Sequence, residues 1–256
     1  MRFKKILKKT FVIFGFIIIF LIIVWFVIRD FRHAWSRFFI EKALLENDQK
    51  QKISLLLKSI FLTPFSSTPY FELGKICFQN QNYKCAESYS KKALFLNKKE
   101  PNIYLLLINS QIEEGKIDLA EKAIEKIEQS DPLNSEFKFL KTKIEIAKGD
   151  YKKALEIINP IKEKEEKYEL YYILLMINEN KIDKIEEPKF SKSKSFWEAF
   201  EESENPLFKK ALAAKTWLDL GEEKIGCDMA KKVKEENSSI WEKIKTWQEI
   251  FKNCNL

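Results

Sequence analysis

The stretch Phe71–Pro132 reads FELGKICFQNQNYKCAESYSKKALFLNKKEPNIYLLLINSQIEEGKIDLAEKAIEKIEQSDP, and it decides the fold because its pattern returns every 34 residues. Three sets of positions keep this spacing: Ala86, Ala120 and Ala154; Gln81, Gly115 and Gly149; and Tyr83, Ile117 and Tyr151. A fixed period of about 20–50 residues indicates stacked supersecondary units. Each unit reads as two amphipathic helices joined by a tight turn, so the sequence predicts an all-α fold.

The pattern resembles the tetratricopeptide repeat (TPR) family. The residues that carry the resemblance are Leu73, Gly74, Tyr83, Ala86, Ala93 and Leu94 in one unit and Leu107, Gly115, Ala120 and Pro132 in the next. The match extends over roughly Ala34–Val233 and implies an α-solenoid of helical hairpins. It also implies a protein-binding scaffold rather than an enzyme.

The 34-residue spacing and the breaks in it divide the chain into seven segments. These are a basic cytoplasmic flank (1–9), a transmembrane anchor (10–28), a divergent first repeat (33–66), three TPR-like repeats (67–165), an irregular repeat and loop (166–205), a last TPR-like repeat (206–237) and a C-terminal capping helix (238–256). Within the irregular segment, Glu186–Ser195 is expected to be a loop, and Phe196–Glu202 a short helix. Glu145 falls at a normally buried position, so its helix is expected to rotate Ile144 inward instead.

The segment Thr10–Ile28 contains no charged residue. Nineteen helical residues span about 28 Å, close to the bilayer core of about 30 Å, and no small-residue cleavage site follows them. We therefore expect a single-pass, uncleaved signal-anchor, and a buried core helix is the alternative. No Pro or Gly lies between Phe16 and Thr63, so the helix is expected to continue into the first repeat.

Basic residues are more numerous before the anchor than after it. Five precede it, whereas three with one acid follow it closely, which predicts an N-terminus in the cytoplasm and repeats outside the cytoplasmic (inner) membrane. A cytosol-facing import receptor is the opposite topology. Residues 1–37 carry the whole formal charge of +7, and the remaining 219 residues balance 37 basic against 37 acidic side chains. No nucleic acid partner is therefore expected.

The four cysteines are Cys77, Cys85, Cys227 and Cys254. Their positions near helix ends lead to the hypothesis of two disulfides, Cys77–Cys85 and Cys227–Cys254, as in an oxidising compartment. Four buried free thiols are the alternative. The spacing of the cysteines does not fit a zinc site, and His33 is the only histidine.

No nucleophile with its base, acid pair in a cleft or phosphate-binding glycine loop stands out in the sequence. We therefore expect no catalytic, cofactor-binding or metal-binding residue, and no enzymatic activity. A carbohydrate- or lipid-modifying enzyme is the remaining alternative of that class.

The resemblance places a partner-binding groove on the first helix of each repeat. The matching positions are two apolar rows, Phe71, Leu105 and Phe139 and Phe78, Ile112 and Ile146, with a polar row between them, Lys75, Asn109 and Lys143. These nine residues predict capture of a peptide or helix. They do not reproduce the carboxylate clamp of members that bind chaperone tails. In the alternative, the rows only pack neighbouring helices.

These features together predict a membrane-anchored adaptor that escorts or assembles envelope proteins. The arrangement is similar to the TPR proteins ancillary to the secretion translocon. The alternative is a structural subunit of a larger membrane or envelope machine, such as a pilus or secretion complex.

Overall fold

The computed structural model describes residues 2–129, 134–236 and 249–254, with side chains from Ile17 onwards. The α-helices within these ranges are α1 (Arg2–Leu45), α2 (Gln49–Leu62), α3 (Ser67–Gln79), α4 (Tyr83–Leu96), α5 (Pro101–Glu113), α6 (Ile117–Glu128), α7 (Ser135–Lys148), α8 (Tyr151–Ile158), α9 (Glu166–Asn178), α10 (Ser191–Glu202), α11 (Pro206–Asp219) and α12 (Glu223–Glu236). Three short 3₁₀ helices cover Asn159–Ile161, Ile182–Lys184 and Lys252–Cys254. The predicted all-α fold of helical hairpins is confirmed.

The chain divides into two compact units, Met1–Ser110 and Gln111–Leu256. In the first unit α1 packs on α2, α2 on α3, and α3 on α4. The side chains of Ala43, Leu55, Leu56, Leu73 and Ile76 form the core between these helices. Asp48 and Asn82 accept hydrogen bonds from the first turns of α2 and α4, which satisfies N–H groups that have no partner within the helix.

The first helix, α1, is continuous over Arg2–Leu45. The predicted continuity across residues 29–33 is therefore confirmed, because nothing in this stretch interrupts helical hydrogen bonding. Within the described part of the chain, no helix is both long and apolar enough to cross a membrane. The predicted anchor lies partly outside that part, since the side chains of residues 10–16 are not described.

The turn residues of the 34-residue pattern share one backbone conformation. Gln81, Gly115 and Gly149 have φ values of 57°, 73° and 85°, which lie in the left-handed region. This conformation reverses the chain between the two helices of each hairpin, and glycine adopts it without the cost that a Cβ atom imposes. Gln81 adopts the same conformation despite its side chain.

In the second unit α7 packs on α6, α8 and α12, while α9 contacts α8, α10 and α11. Its core contains several large aromatic side chains, including Tyr168, Phe200 and Trp217, none of them more than 1% exposed. Gly226 on α12 permits close packing on α11, because an added Cβ atom would lie 2.8 Å from Leu218 Cδ2 and 3.0 Å from the carbonyl oxygen of Ala214.

The start of α10 differs from the prediction. The helix begins at Ser191, within the expected loop Glu186–Ser195, rather than at Phe196. The Glu166 carboxylate accepts a hydrogen bond from the Lys192 N–H at 2.8 Å, so α9 caps α10 from a distance. This cap supports a helix whose own residues give no clear start signal.

The prediction for α7 is correct for Ile144, which faces inward, but wrong for Glu145, which is buried as well. Glu145 and Ile144 are both buried, with only 2% and 1% of their surface exposed. A carboxylate of Glu145 lies 2.7 Å from Lys153 Nζ, and this hydrogen bond raises the pKa of the lysine. The ion pair offsets the cost of burying the charge, which removes the reason for the helix to rotate.

The predicted capping helix, 238–256, lies mostly outside the described residues. Of this segment the structure describes residues 249–254, which include the 3₁₀ turn Lys252–Cys254. Phe251 is 2% exposed and belongs to the core of the second unit.

Candidate functional site

Five of the nine predicted groove residues belong to the first unit. Phe71, Lys75 and Phe78 lie on α3, and Leu105 and Asn109 lie on α5; all five are half-buried. Phe71 and Phe78 are seven residues apart, which places them on the same side of their helix. The first unit therefore leaves apolar surface of its first helices partly open to solvent.

Lys75 is neutralised by its own helix. Its Nζ lies 3.0 Å from Glu72 Oε1 and 5.4 Å from the centre of the Phe71 ring. Glu72 is buried and Lys75 is not, so the ion pair leaves the edge of the ammonium group exposed. The surface around Phe71 is thus aromatic, and the positive charge of the adjacent Lys75 is compensated by Glu72.

A disulfide fixes the end of α3 that carries Phe78. Cys77 is bonded to Cys85 on α4, with their Cα atoms 5.7 Å apart. The ring of Phe78 meets the ring of Tyr83 edge to face, with centroids separated by 5.3 Å. Phe78 is therefore positioned by a covalent link and an aromatic contact at the turn of one hairpin.

On α5 the polar and apolar positions alternate in the same way. The Asn109 Nδ2 donates a hydrogen bond to the carbonyl oxygen of Leu105 at 2.9 Å. This contact fixes the amide plane, and the oxygen, which accepts no hydrogen bond within the described residues, can accept one from a ligand. Leu106, beside Leu105, is buried, and an added Cβ on Gly74 would lie 3.0 Å from it, so α5 approaches α3 closely.

In the second unit, two of the equivalent positions are buried rather than partly open to solvent. Phe139 and Ile146 are 8% and 3% exposed, whereas Ile112 is half-buried. The Phe139 ring packs against Tyr168 and Tyr171 of α9, with centroids 4.9 Å and 4.8 Å away. Within this unit, helices of the same chain occupy the space in front of α7, so Phe139 and Ile146 do not line an open groove as expected.

Lys143, the third predicted residue on α7, is an internal ion-pair partner. Its Nζ lies 3.2 Å from Glu113 Oε1 and 3.3 Å from Glu222 Oε1, and its side chain is 14% exposed. Burial disfavours the ammonium form, but the two carboxylates outweigh this effect and raise the pKa of Lys143. The Lys143 amine therefore stays protonated and forms ion pairs with Glu113 and Glu222 of its own chain.

The network continues from Glu222 to an aromatic pair that the sequence analysis missed. The Tyr171 hydroxyl donates to Glu222 Oε1 at 2.7 Å, and its ring meets Trp217 at 5.1 Å between centroids. Burial and the nearby carboxylate of Glu222 raise the pKa of Tyr171. The apolar run in Tyr168–Ile177 indicates this burial in the sequence, because a helix that is apolar on all sides is normally buried.

The second disulfide links α12 to the 3₁₀ turn Lys252–Cys254. Cys227 on α12 is bonded to Cys254, with their Cα atoms 5.2 Å apart. Among the described residues, no group of three or more His, Cys, Asp or Glu side chains is arranged to hold a metal ion.

Comparisons with known proteins identify the fold. No family model matches the chain, and no curated protein matches it in sequence. The structure of PilF from Pseudomonas aeruginosa matches with a TM-score of 0.55 at 12% identity, covering 81% of this chain and 94% of that one. A tetratricopeptide repeat protein from Parabacteroides merdae matches with a TM-score of 0.52 at 13% identity, covering 90% of this chain and 83% of that one. At these identities the likeness shows a TPR-type fold alone.

Proposed function

We propose that this chain is a TPR-type scaffold that binds a protein partner through the open first-helix surface of its first unit, here called the α3–α5 surface (Phe71, Lys75, Phe78, Leu105 and Asn109). The observation that carries the proposal is the half-buried state of these five residues. Apolar side chains on a rigid, partly open helical surface suit protein binding. The chain acts by binding and not by catalysis.

The chemistry of the surface favours an apolar or amphipathic segment. Because Glu72 already neutralises Lys75, an acidic peptide would gain little there. Phe71, Phe78 and Leu105 offer apolar area, and the free amide oxygen of Asn109 can accept a hydrogen bond from the bound segment. A peptide or helix with apolar side chains on one face meets both requirements.

The proposal includes a membrane anchor in residues 10–28. The uncharged sequence supports it, and so does the exposure of the described part, where Ile17–Phe20, Leu21 and Trp25–Ile28 carry large apolar side chains in contact with solvent. Exposed apolar residues around a helix are costly in water and favourable in lipid.

We place the two units outside the cytoplasm, at the cytoplasmic membrane. The excess of basic residues before the anchor supports this orientation. The two disulfides support it as well, since disulfide bonds persist in oxidising compartments. Peptide mapping of protein taken from its native membrane without reducing agent tests this part, and four free thiols would overturn it.

Site-specific photo-crosslinking tests the binding surface. The full chain carries a photoreactive phenylalanine analogue at position 78 or, as the matched control, at position 95, which lies on α4 and is 78% exposed. We expect a discrete crosslinked partner from Phe78 that is absent from Phe95. The same adducts from both positions would contradict the proposal.

Two further measurements separate the parts of the proposal. Release of the protein by alkaline carbonate would overturn the anchor without affecting the surface. If the partner crosslinked at Phe78 also co-purifies in a fixed ratio, the chain is a subunit of a larger machine. Transient adducts with several envelope proteins would instead identify an escort.

A further inference from the structure

One face of α1 is basic directly after the apolar segment. Arg29, Arg32 and Arg37 lie on this face with spacings that bring them to the same side as Ser36 and Ile40. Together with the α2–α3 connection, they line an open cavity of about 820 Å³ within the first unit. In the sequence alone, these arginines indicate only the orientation of the apolar segment; their common face becomes visible in the fold.

Two of the three guanidinium groups, those of Arg32 and Arg37, have no carboxylate partner within the described residues. Arg29 pairs with Asp30 at 2.9 Å, whereas Arg32 donates only its Nε, to the carbonyl oxygen of Leu62 at 3.1 Å. The terminal nitrogens of Arg32 and the whole side chain of Arg37 have no hydrogen bond or ion pair within the described residues. Arg32 is therefore fixed in direction by a backbone contact while its charge still faces the cavity.

The other wall of the cavity carries aromatic and polar groups. Phe65 lines it and is 85% exposed. Phe61, near the end of α2, lies outside this lining and is 82% exposed. Ser66, which precedes α3, also lines the cavity and makes no side-chain capping hydrogen bond. Trp25 lies at the opposite end, where the Arg29 guanidinium is 5.6 Å from its ring.

We propose that this cavity binds the headgroup of an anionic phospholipid, with the phosphate held by Arg32 and Arg37 and the acyl chains beside Trp25 and the apolar part of α1. The inference rests on the proposed membrane anchor. The cavity adjoins the end of the predicted span. It would therefore lie at the level of the lipid headgroups in the membrane. Guanidinium groups bind phosphate oxygens in a two-pronged geometry.

The surrounding side chains favour a lipid over a free anion. Phe65 is 85% exposed at the rim of the cavity, and an exposed aromatic side chain gains most when it enters the boundary between headgroups and acyl chains. A soluble phosphate would use the two arginines and leave Phe65 in water. The arrangement thus matches an amphipathic ligand whose charged and apolar parts are joined.

The proposal is tested by measuring how much lipid the full chain retains in a non-ionic detergent. The protein is incubated with phosphatidylglycerol or phosphatidylcholine, and the bound lipid is counted by native mass spectrometry. Two uncompensated arginines at a headgroup predict a preference of roughly 30-fold for phosphatidylglycerol. The double variant Arg32→Gln/Arg37→Gln should lose this preference, and the control Lys42→Gln/Lys98→Gln, which removes two exposed charges elsewhere in the first unit, should keep it.

Three results would overturn the inference: equal retention of the two lipids, loss of preference in the control variant, or displacement of phosphatidylglycerol by an equal concentration of glycerol phosphate. Because Arg32 also holds the end of α2, Arg37→Gln alone is measured too, and it should lose part of the preference with unchanged thermal unfolding. Carbonate extraction of membranes that contain the same variants reports the anchor separately, so a protein that stays in the membrane without lipid preference contradicts only this inference.

Discussion

The ring of Phe139 meets that of Tyr171 edge to face, with centroids 4.8 Å apart and an interplanar angle of 76°. Phe139 occupies the same position in its repeat as Phe71, which is half-buried in the first unit. The same position thus serves the core in one unit and an open surface in the other. This difference leads to predictions that separate stability from binding.

Phe139→Ala should destabilise the second unit by about 3 kcal/mol, since it removes a buried aromatic ring and leaves a cavity. The matched variant Phe71→Ala should cost about 1 kcal/mol or less, because its side chain is already partly in solvent. Denaturant unfolding of the full chain, followed by circular dichroism, measures both. Equal losses would show that the two positions do not differ in burial.

Lys143→Met should lower the free energy of unfolding by about 3 kcal/mol, because it leaves Glu113 and Glu222 without their buried cation. Adding Glu222→Gln to this variant should restore part of the loss. If Lys143 served only to contact a partner, the single variant would keep its thermal stability, which would contradict this prediction.

Gln81→Gly should stabilise the first unit by about 1 kcal/mol, since glycine removes the strain of a left-handed residue. Gly149→Gln introduces the same side chain at the equivalent turn of the second unit, so it should destabilise by a similar amount. Thermal unfolding of both variants provides the measurement, and a shift of the same sign in the two would contradict the prediction.

Acid should weaken the cap that Glu166 provides to α10. The hydrogen bond from the Lys192 N–H lowers the pKa of Glu166 below its ordinary value of 4.5. A lowered pKa in the folded state stabilises the fold above pH 4.5, and this contribution disappears as the pH falls through the folded-state pKa. Glu166→Gln should therefore unfold at a lower temperature than the wild type at pH 7, with the gap closing as the pH falls below 4.5. A gap that does not change with pH would contradict the assignment.

The two disulfides should contribute unequally. Cys77–Cys85 closes a separation of 8 residues and Cys227–Cys254 one of 27. In the chain-entropy account, their removal costs about 2.5 and 3.5 kcal/mol respectively, because the longer loop restricts the unfolded chain more. Paired Cys→Ser variants, compared by denaturant unfolding without reducing agent, measure the two costs, and the reverse order would contradict the entropic account.

Local features of the fold were predictable from the sequence. The 34-residue spacing identified the hairpins, and Gln81, Gly115 and Gly149 share the left-handed turn that this spacing requires. The absence of Pro and Gly after Phe16 predicted the continuous α1. These features depend on residues near one another in the chain, so helix propensity and turn geometry are sufficient to predict them.

The tertiary structure alone decided which repeated positions stay open. Phe71 and Phe139 have the same residue type and register, but only Phe139 meets the rings of Tyr168 and Tyr171, which the irregular α9 supplies. The start of α10 likewise depends on Glu166, which lies 26 residues before Lys192 and accepts a hydrogen bond from its N–H. Burial and long-range capping are set by contacts between distant segments, and a repeat pattern contains no record of those contacts.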